Sequence, residues 1–257
     1  MKKSLSIETI FTEVPFYERF ALVRQAGFDH IEFDAWTPLD LTKVADELSR
    51  NRLTLTAFAG DSEASLVFPE MRGDFLEFLS QSIAVAKTFG CPNLIVHSNA
   101  IAEDGSTFLA GAAYSDTMKT AAAARALLEA SRMAEKANLT LLLKAVSTYQ
   151  HPGAFMSTTA ATGDVVRVVD SPNLKIAYDV SQMQMMEGDV HNTVRTYRDF
   201  IGYIQVGSMM ESPDDSEVNL RAFKKLLVEE LKYDGVIGFR FHPGRKKKDC
   251  LAAIRDF

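Results

Sequence analysis

Val236-Ile-Gly-Phe-Arg-Phe-His-Pro243 is a short apolar run that carries one cation, Arg240, and is stopped by proline. It reads as the last strand of a repeating β/α chain. Leu141-Leu-Leu-Lys-Ala145 has the same form, apolar throughout as a strand covered on both faces would be, and ends in Lys144. Working outward, similar runs recur at residues 5–9, 30–34, 53–59, 92–97, 139–144, 174–179, 201–206 and 236–241. Segments of helical period separate them, near 16–26, 41–51, 71–89, 116–136, 163–169, 190–199, 220–232 and 247–257. Asp40 and Asp116 read as N-caps; Gly27, Gly90 and Asn138 read as helix ends. Eight strands, each followed by a helix, predict an α/β fold closed as a (β/α)8 TIM barrel. An open doubly wound sheet is disfavoured by that count and by the lack of an early G-x-G-x-x-G. No Pro-, Gly- or Ser-rich linker divides the chain, so one domain is expected over residues 1–257.

Composition limits what such a barrel can do. With 47% hydrophobic and 24% charged residues the chain is an ordinary globular one, not a disordered or fibrous one. The net charge of -6, with Arg245-Lys-Lys-Lys248 as the only basic cluster, excludes a broad nucleic-acid-binding surface; such a run more often precedes a helix. Cys91 and Cys250 lie in no metal-ligand spacing and read as buried thiols. No apolar run is long enough to span a bilayer, and Ser4, Ser6, Glu8 and Thr9 interrupt any leader-like core after Met-Lys-Lys. A reducing, cytoplasmic setting is expected, with neither nucleic acid nor membrane as partner; a homo-oligomer is compatible with the sequence.

In a barrel of this kind chemistry belongs at the C-terminal strand ends. Here they carry Glu8, Glu32, Asp61, His97, Lys144, Asp179, Gln205 and Arg240. Each alone has an ordinary explanation as a solvated or hydrogen-bonded polar residue; eight together point to a polar pocket. Residues 98–114 form a long loop, the kind that often serves function. Met183, Met185, Met186, Met209 and Met210 could supply a soft binding surface, as in a non-catalytic partner protein, or simply line a pocket.

The segment Ser171-Pro-Asn-Leu-Lys-Ile-Ala-Tyr-Asp-Val-Ser-Gln-Met-Gln-Met-Met-Glu-Gly-Asp189, with Ile201-Gly-Tyr-Ile-Gln205 and Glu217-Val-Asn219, resembles the hydroxypyruvate isomerase family of xylose-isomerase-like barrels. Pro152-Gly-Ala-Phe155, Ala59-Gly-Asp61 and Lys232-Tyr-Asp-Gly235 extend the resemblance along nearly the whole chain. It implies aldose–ketose isomerisation with a divalent metal such as Mg²⁺ or Mn²⁺. In the family, Glu, Asp, Gln and Glu from strands five to eight surround the ion, and the two glutamates shuttle the proton. Asp179 and Gln205 stand at the retained positions, but Lys144 and Arg240 stand where the glutamates belong. Gln182 and Tyr203 replace two histidines, and a shortened Met209-Met-Glu-Ser-Pro213 replaces a Pro-Gly-Arg loop.

Two cations would repel a divalent ion, and a guanidinium cannot ligate one. The expectation is therefore no metal cofactor and an isomerase activity lost or altered. Lys144 and Arg240 take the catalytic positions, with His97, Asp179, Gln182, Gln205, Glu217 and His242 contacting substrate. In one reading, Lys144 and Arg240 replace the ion structurally and pair with Asp179, Glu211 or Glu217. In another they bind a small anionic sugar or keto acid, with Lys144 open to Schiff-base chemistry.

Overall fold

The computed structural model describes residues 1–257 apart from 62, 103, 108–113, 208–210, 214, 215 and 217. Eight parallel strands close on one another in sequence order. They are β1 (Lys2–Ser6), β2 (His30–Glu32), β3 (Thr54–Ala59), β4 (Asn93–His97), β5 (Thr140–Lys144), β6 (Leu174–Asp179), β7 (Ile201–Val206) and β8 (Val236–Phe239). Closure comes from β8 pairing with β1, with Lys2 opposite Val236 and Leu5 opposite Phe239. The described helices are α1 (Arg19–Gln25), α2 (Leu41–Asn51), α3 (Arg72–Phe89), α4 (Asp116–Ala137), α5 (Thr159–Val169), α6 (Val180–Glu187), α7 (Val190–Tyr197), α8 (Leu220–Lys225) and α9 (Lys247–Asp256).

Local chemistry explains most element ends. The Asp40 carboxylate accepts the amides of Thr42 and Lys43 at the start of α2, while Gly90 and Asn138 close α3 and α4 in the left-handed region. Ser115, not Asp116, caps α4, its hydroxyl accepting from the Met118 amide. The first strand lies three residues earlier than its composition suggests. Ile10 and Thr9 bond back to the Ser6 carbonyl, so the chain turns there and Glu8 sits beyond the strand, over the barrel mouth. Likewise β2 stops at Glu32, leaving Asp34 in the following loop. The sixth strand runs straight into α6, because Asp179 is at once the strand end and the helix N-cap. That helix has no amphipathic signature to betray it, since Val180, Ser181, Gln182 and Met183 are all buried.

The apolar core lies mainly between strands and helices, with Phe20, Phe75, Leu127, Phe223 and Ile254 facing the sheet from outside. A smaller cluster of Ala57, Ile95, Leu142, Ala177 and Tyr203 fills the barrel interior. Both cysteines are buried, and no disulfide joins them; burial pushes the Cys91 thiol up to about 12. The basic cluster 245–248 spans a short 3-10 turn and the start of α9. Among the described residues no helix is long and apolar enough to cross a membrane.

One glycine answers directly to the site above it. A Cβ on Gly238 of β8 would stand 2.1 Å from Glu32 Oε2, so the missing side chain is the space that Glu32 occupies. Gly238→Ala is expected to cost about 1–3 kcal/mol in urea unfolding through overpacking. An unchanged midpoint would mean that Glu32 is free to move aside.

Candidate active site

The site rests on a polar chain that climbs the inside of the barrel. At its base the hydroxyls of Ser4 and Thr56 are 2.7 Å apart, and Thr56 lies 2.8 Å from the Tyr203 hydroxyl. Tyr203 donates to Glu32 Oε2 at 2.6 Å. Glu32 Oε1 accepts from Gln205 Nε2 at 2.8 Å and from Arg240 at 3.0 Å. Arg240 uses a second nitrogen on Asp34 Oδ2, at 2.7 Å. On the other side Lys144 Nζ donates to Gln205 Oε1 at 2.7 Å and lies 3.0 Å from Asp179 Oδ2. Asp179 and Glu32 are wholly buried, and Lys144 and Gln205 nearly so. Each buried charge thus has an opposite partner within hydrogen-bond reach, the arrangement that offsets several kcal/mol of desolvation per ion.

Above this floor opens a cavity of about 790 Å³. Lys144, Gln205 and Arg240 form part of its base, Trp36, Phe78 and Ile95 an apolar wall, and Glu8, Asp34, Asp61, His97, His151 and His242 its polar rim. The Asp61 carboxylate accepts the His97 amide at 2.5 Å and lies 3.2 Å from His97 Nδ1, so it fixes both the backbone and the ring. His151 Nδ1 is 2.9 Å from the Gly105 carbonyl, and its pKa is lowered, chiefly by burial. The pKa of His242 is lowered as well, first by burial and then by Arg240.

Glu8 and Asp34 titrate in opposite directions. Burial, followed by the Asp34 charge, pushes Glu8 up to about 9 even though the Asp34 amide donates to it at 2.7 Å. For Asp34 burial acts upward, but Arg240 and the hydrogen bond from Glu8 overcome it and hold the carboxyl well below its usual range. Asp34 is 56% accessible, so water in the cavity tempers that shift. At neutral pH the pair is one acid and one carboxylate.

The expected site residues meet the structure unevenly. Lys144, Arg240, His97, Gln182, Gln205 and His242 all line the cavity, and Asp179 lies beneath it against Lys144. Gln182 serves the scaffold as well, its Oε1 accepting the Ser147 amide at 2.7 Å. The expected partners of Arg240 are corrected. It pairs with Glu32 and Asp34, whereas Glu211 lies 3.6 Å from Lys246 in an exposed pair. Arg240 therefore reaches across β1 to the end of β2 and the loop that follows it. Glu217 lies outside the described residues, as do Met209, Met210 and residues 103 and 108–113 of the long loop. Of the other methionines, Met183 is core, Met186 packs on the core's edge and Met185 is exposed. Glu8, Asp34 and Tyr203 are central here although none was expected as a site residue; the sequence marks Glu8 only as one of eight polar strand ends, Tyr203 only as a replaced histidine, and Asp34 only by lying two residues beyond Glu32.

Residues 20–256 match the xylose isomerase-like TIM barrel family. The chain belongs to that family. Over 252 residues it is 27% identical to the hydroxypyruvate isomerase of Escherichia coli K12, covering 95% of this chain and 94% of that one. It is 22% identical over 260 residues to the 2-oxo-tetronate isomerase of Pectobacterium atrosepticum, covering 97% and 95%. A Brucella melitensis crystal structure described as an AP endonuclease, family 2, shares the fold with a TM-score of 0.85 at 23% identity, covering 100% of this chain and 98% of that one.

The donor set does not fit the divalent ion that the resemblance implies. The two retained oxygen donors, Asp179 Oδ2 and Gln205 Oε1, both face the same ammonium. An ion at about 2.1 Å from Gln205 Oε1 would lie within about 5 Å of Lys144 Nζ, where repulsion is roughly 7 kcal/mol at an effective dielectric of about 20. Glu32 is the nearest further carboxylate on Gln205, and Arg240 already holds it.

Two outcomes follow for stability. Lys144→Ala leaves Asp179 buried without its cation and should cost about 3–5 kcal/mol in urea unfolding; an unchanged midpoint would show that the pair carries no weight. Glu8 binds its proton more tightly folded than unfolded, so its contribution is fully present below its ordinary value of 4.5 and is lost as pH rises through about 9. Glu8→Gln should therefore gain stability relative to the parent between pH 5 and 9.5. Parallel pH profiles of the two unfolding midpoints would contradict the assignment.

Proposed function

We propose that this chain is an isomerase-type barrel that takes a small α-hydroxy carbonyl compound, of the hydroxypyruvate or 2-oxo-tetronate kind, and works without the metal of the hydroxypyruvate isomerase pattern. The observation that carries this reading is the position of Lys144 Nζ, 2.7 Å from Gln205 Oε1 and 3.0 Å from Asp179 Oδ2. The ammonium stands between the two donors that an ion would use, and Arg240 bridges Glu32 and Asp34 alongside it. Both proton-shuttling glutamates of the pattern are thereby gone, so proton transfer by the standard route is lost with the ion.

The substrate class is supported by the relatives' activities and by the cavity. Its size suits a small molecule, its rim offers hydrogen-bonding groups, and its apolar wall can cover the face of a short carbon chain. A strongly anionic ligand such as a phosphate has less support, because Lys144 and Arg240 are already matched by Asp179, Glu32 and Asp34. A carboxylate of a keto acid can still reach the cavity edge of either cation, where Lys144 keeps 9% and Arg240 12% of its side chain accessible.

Metal analysis after incubation with Mn²⁺ and dialysis tests the reading. The parent is expected to hold well below one equivalent and to keep its thermal midpoint when Mn²⁺ or EDTA is added. Lys144→Glu is expected to gain a Mn²⁺-dependent rise, worth about 2.7 kcal/mol at a metal concentration of 100 Kd. Stoichiometric metal in the parent, with isomerisation of hydroxypyruvate that EDTA abolishes, would overturn it.

A further inference from the structure

A barrel without the ion and without both shuttling glutamates still needs a base and an acid if it is to move a proton between adjacent carbons. We propose that His97 and Glu8 are that base and that acid, acting across the cavity on an α-hydroxy carbonyl compound. The assignment rests on the metal-free reading above.

The geometry singles out His97 among the three histidines of the cavity. Asp61 holds Nδ1–H at 3.2 Å and is itself anchored by the His97 amide, so the ring is fixed in one orientation. The other nitrogen, Nε2, is left to accept a proton, and the Asp61 carboxylate stabilises the imidazolium that forms. Among the described residues the His151 ring has a carbonyl partner and no carboxylate, and His242 faces the Arg240 guanidinium, which opposes a second positive charge. Lys144, opposite His97 in the strand register, and His151 are the other charged or titratable groups facing His97. Lys144 is paired with Asp179, and Asp61 is the carboxylate in hydrogen-bond contact with the ring.

Glu8 lies three strands away on the same cavity, beyond β1. Asp34 bonds to it through its amide and its carboxylate, and Arg240 pins Asp34 in the ionised form. The groups facing Glu8 are therefore Asp34 and Arg240, with Arg19 and His242 on the same rim. Arg19 is engaged with the Val14 and Ile7 carbonyls and does not pair with Glu8. A carboxyl beside a carboxylate retains its proton, which it can give to a substrate oxygen.

The step balances within these residues. His97 Nε2 takes the proton from the carbon that bears the hydroxyl, as Glu8 gives its proton to the carbonyl oxygen and the C–C bond between them becomes double. The resulting enediol is neutral. The Glu8 carboxylate then takes the proton of the other hydroxyl, a carbonyl forms there, and the imidazolium returns its proton to the neighbouring carbon. Both side chains end as they began.

Solvent exchange tests this. With hydroxypyruvate, a 2-oxo-tetronate and dihydroxyacetone in D2O with EDTA, the parent is expected to incorporate deuterium at the carbon next to the carbonyl in at least one. His97→Gln and Glu8→Gln should each slow exchange about 100-fold or more. Only Glu8→Gln should also change the alkaline limb of the profile. Exchange in EDTA that neither variant alters would overturn the assignment and leave the metal-free reading standing; exchange that EDTA abolishes would overturn that reading instead. Absence of exchange with all three compounds both with and without EDTA would overturn the acid–base assignment. Independently of any substrate, carboxyl ¹³C NMR of Glu8, assigned with Glu8→Gln, should show a midpoint near 9; titration at an ordinary carboxyl value near 4.5 would also overturn it.

Discussion

Glu32 has no exposed surface, and three donors converge on its two oxygens: Tyr203 from below, Gln205 from the side and Arg240 from above. A carboxylate in that position costs several kcal/mol to bury unless it is fully paired, so the surrounding residues are not independent choices. Gly238 must lack a side chain to admit it. Tyr203 must keep its proton, and burial followed by the Glu32 charge ensures that by pushing its ionisation well above the ordinary phenol range. Arg240 must be a cation. Once Arg240 is fixed on Glu32 its second nitrogen reaches Asp34, Asp34 is held ionised, and Glu8 beside it keeps a proton.

Lys144 closes the same network from the opposite side through Gln205, whose Nε2–H donates to Glu32 and whose Oε1 accepts a hydrogen bond from Lys144. A single glutamine thereby couples the two cations. Replacing either of them alone would leave a buried carboxylate without its counter-charge. Lys144 and Arg240 thus belong to one network, joined through Glu32, Gln205 and Asp179.

Much of this architecture is legible in the amino-acid sequence. Strand and helix alternation with caps such as Asp40, Gly90 and Asn138 is local information, and it gave the closed barrel and the face on which Lys144, Gln205 and Arg240 meet. Pairing of the two cations with Asp179 is one of two readings the sequence leaves open; the ends of β5 and β6 are adjacent, and Lys144 makes that pair. The partners of Arg240 did not follow. They depend on where β2 ends and on the closure of β8 against β1, so that Glu32 and Asp34, more than 200 positions away, lie within reach. Glu8 has the composition of a strand end and is instead a turn residue over the mouth, because the amides of Thr9 and Ile10 bond back to the Ser6 carbonyl. The helix α6 escaped notice because a segment buried around Val180 and Met183 has no polar face to give it a period.

The central claim is that an ammonium holds the place of a metal ion. A crystal structure from crystals soaked in Mn²⁺, with data collected for anomalous scattering from manganese, tests it most directly. The account predicts no anomalous peak near Asp179 and clear density for Lys144 Nζ between Asp179 and Gln205. A manganese peak at about 2.1–2.2 Å from the Asp179 carboxylate, with Lys144 turned away from it, would contradict the account.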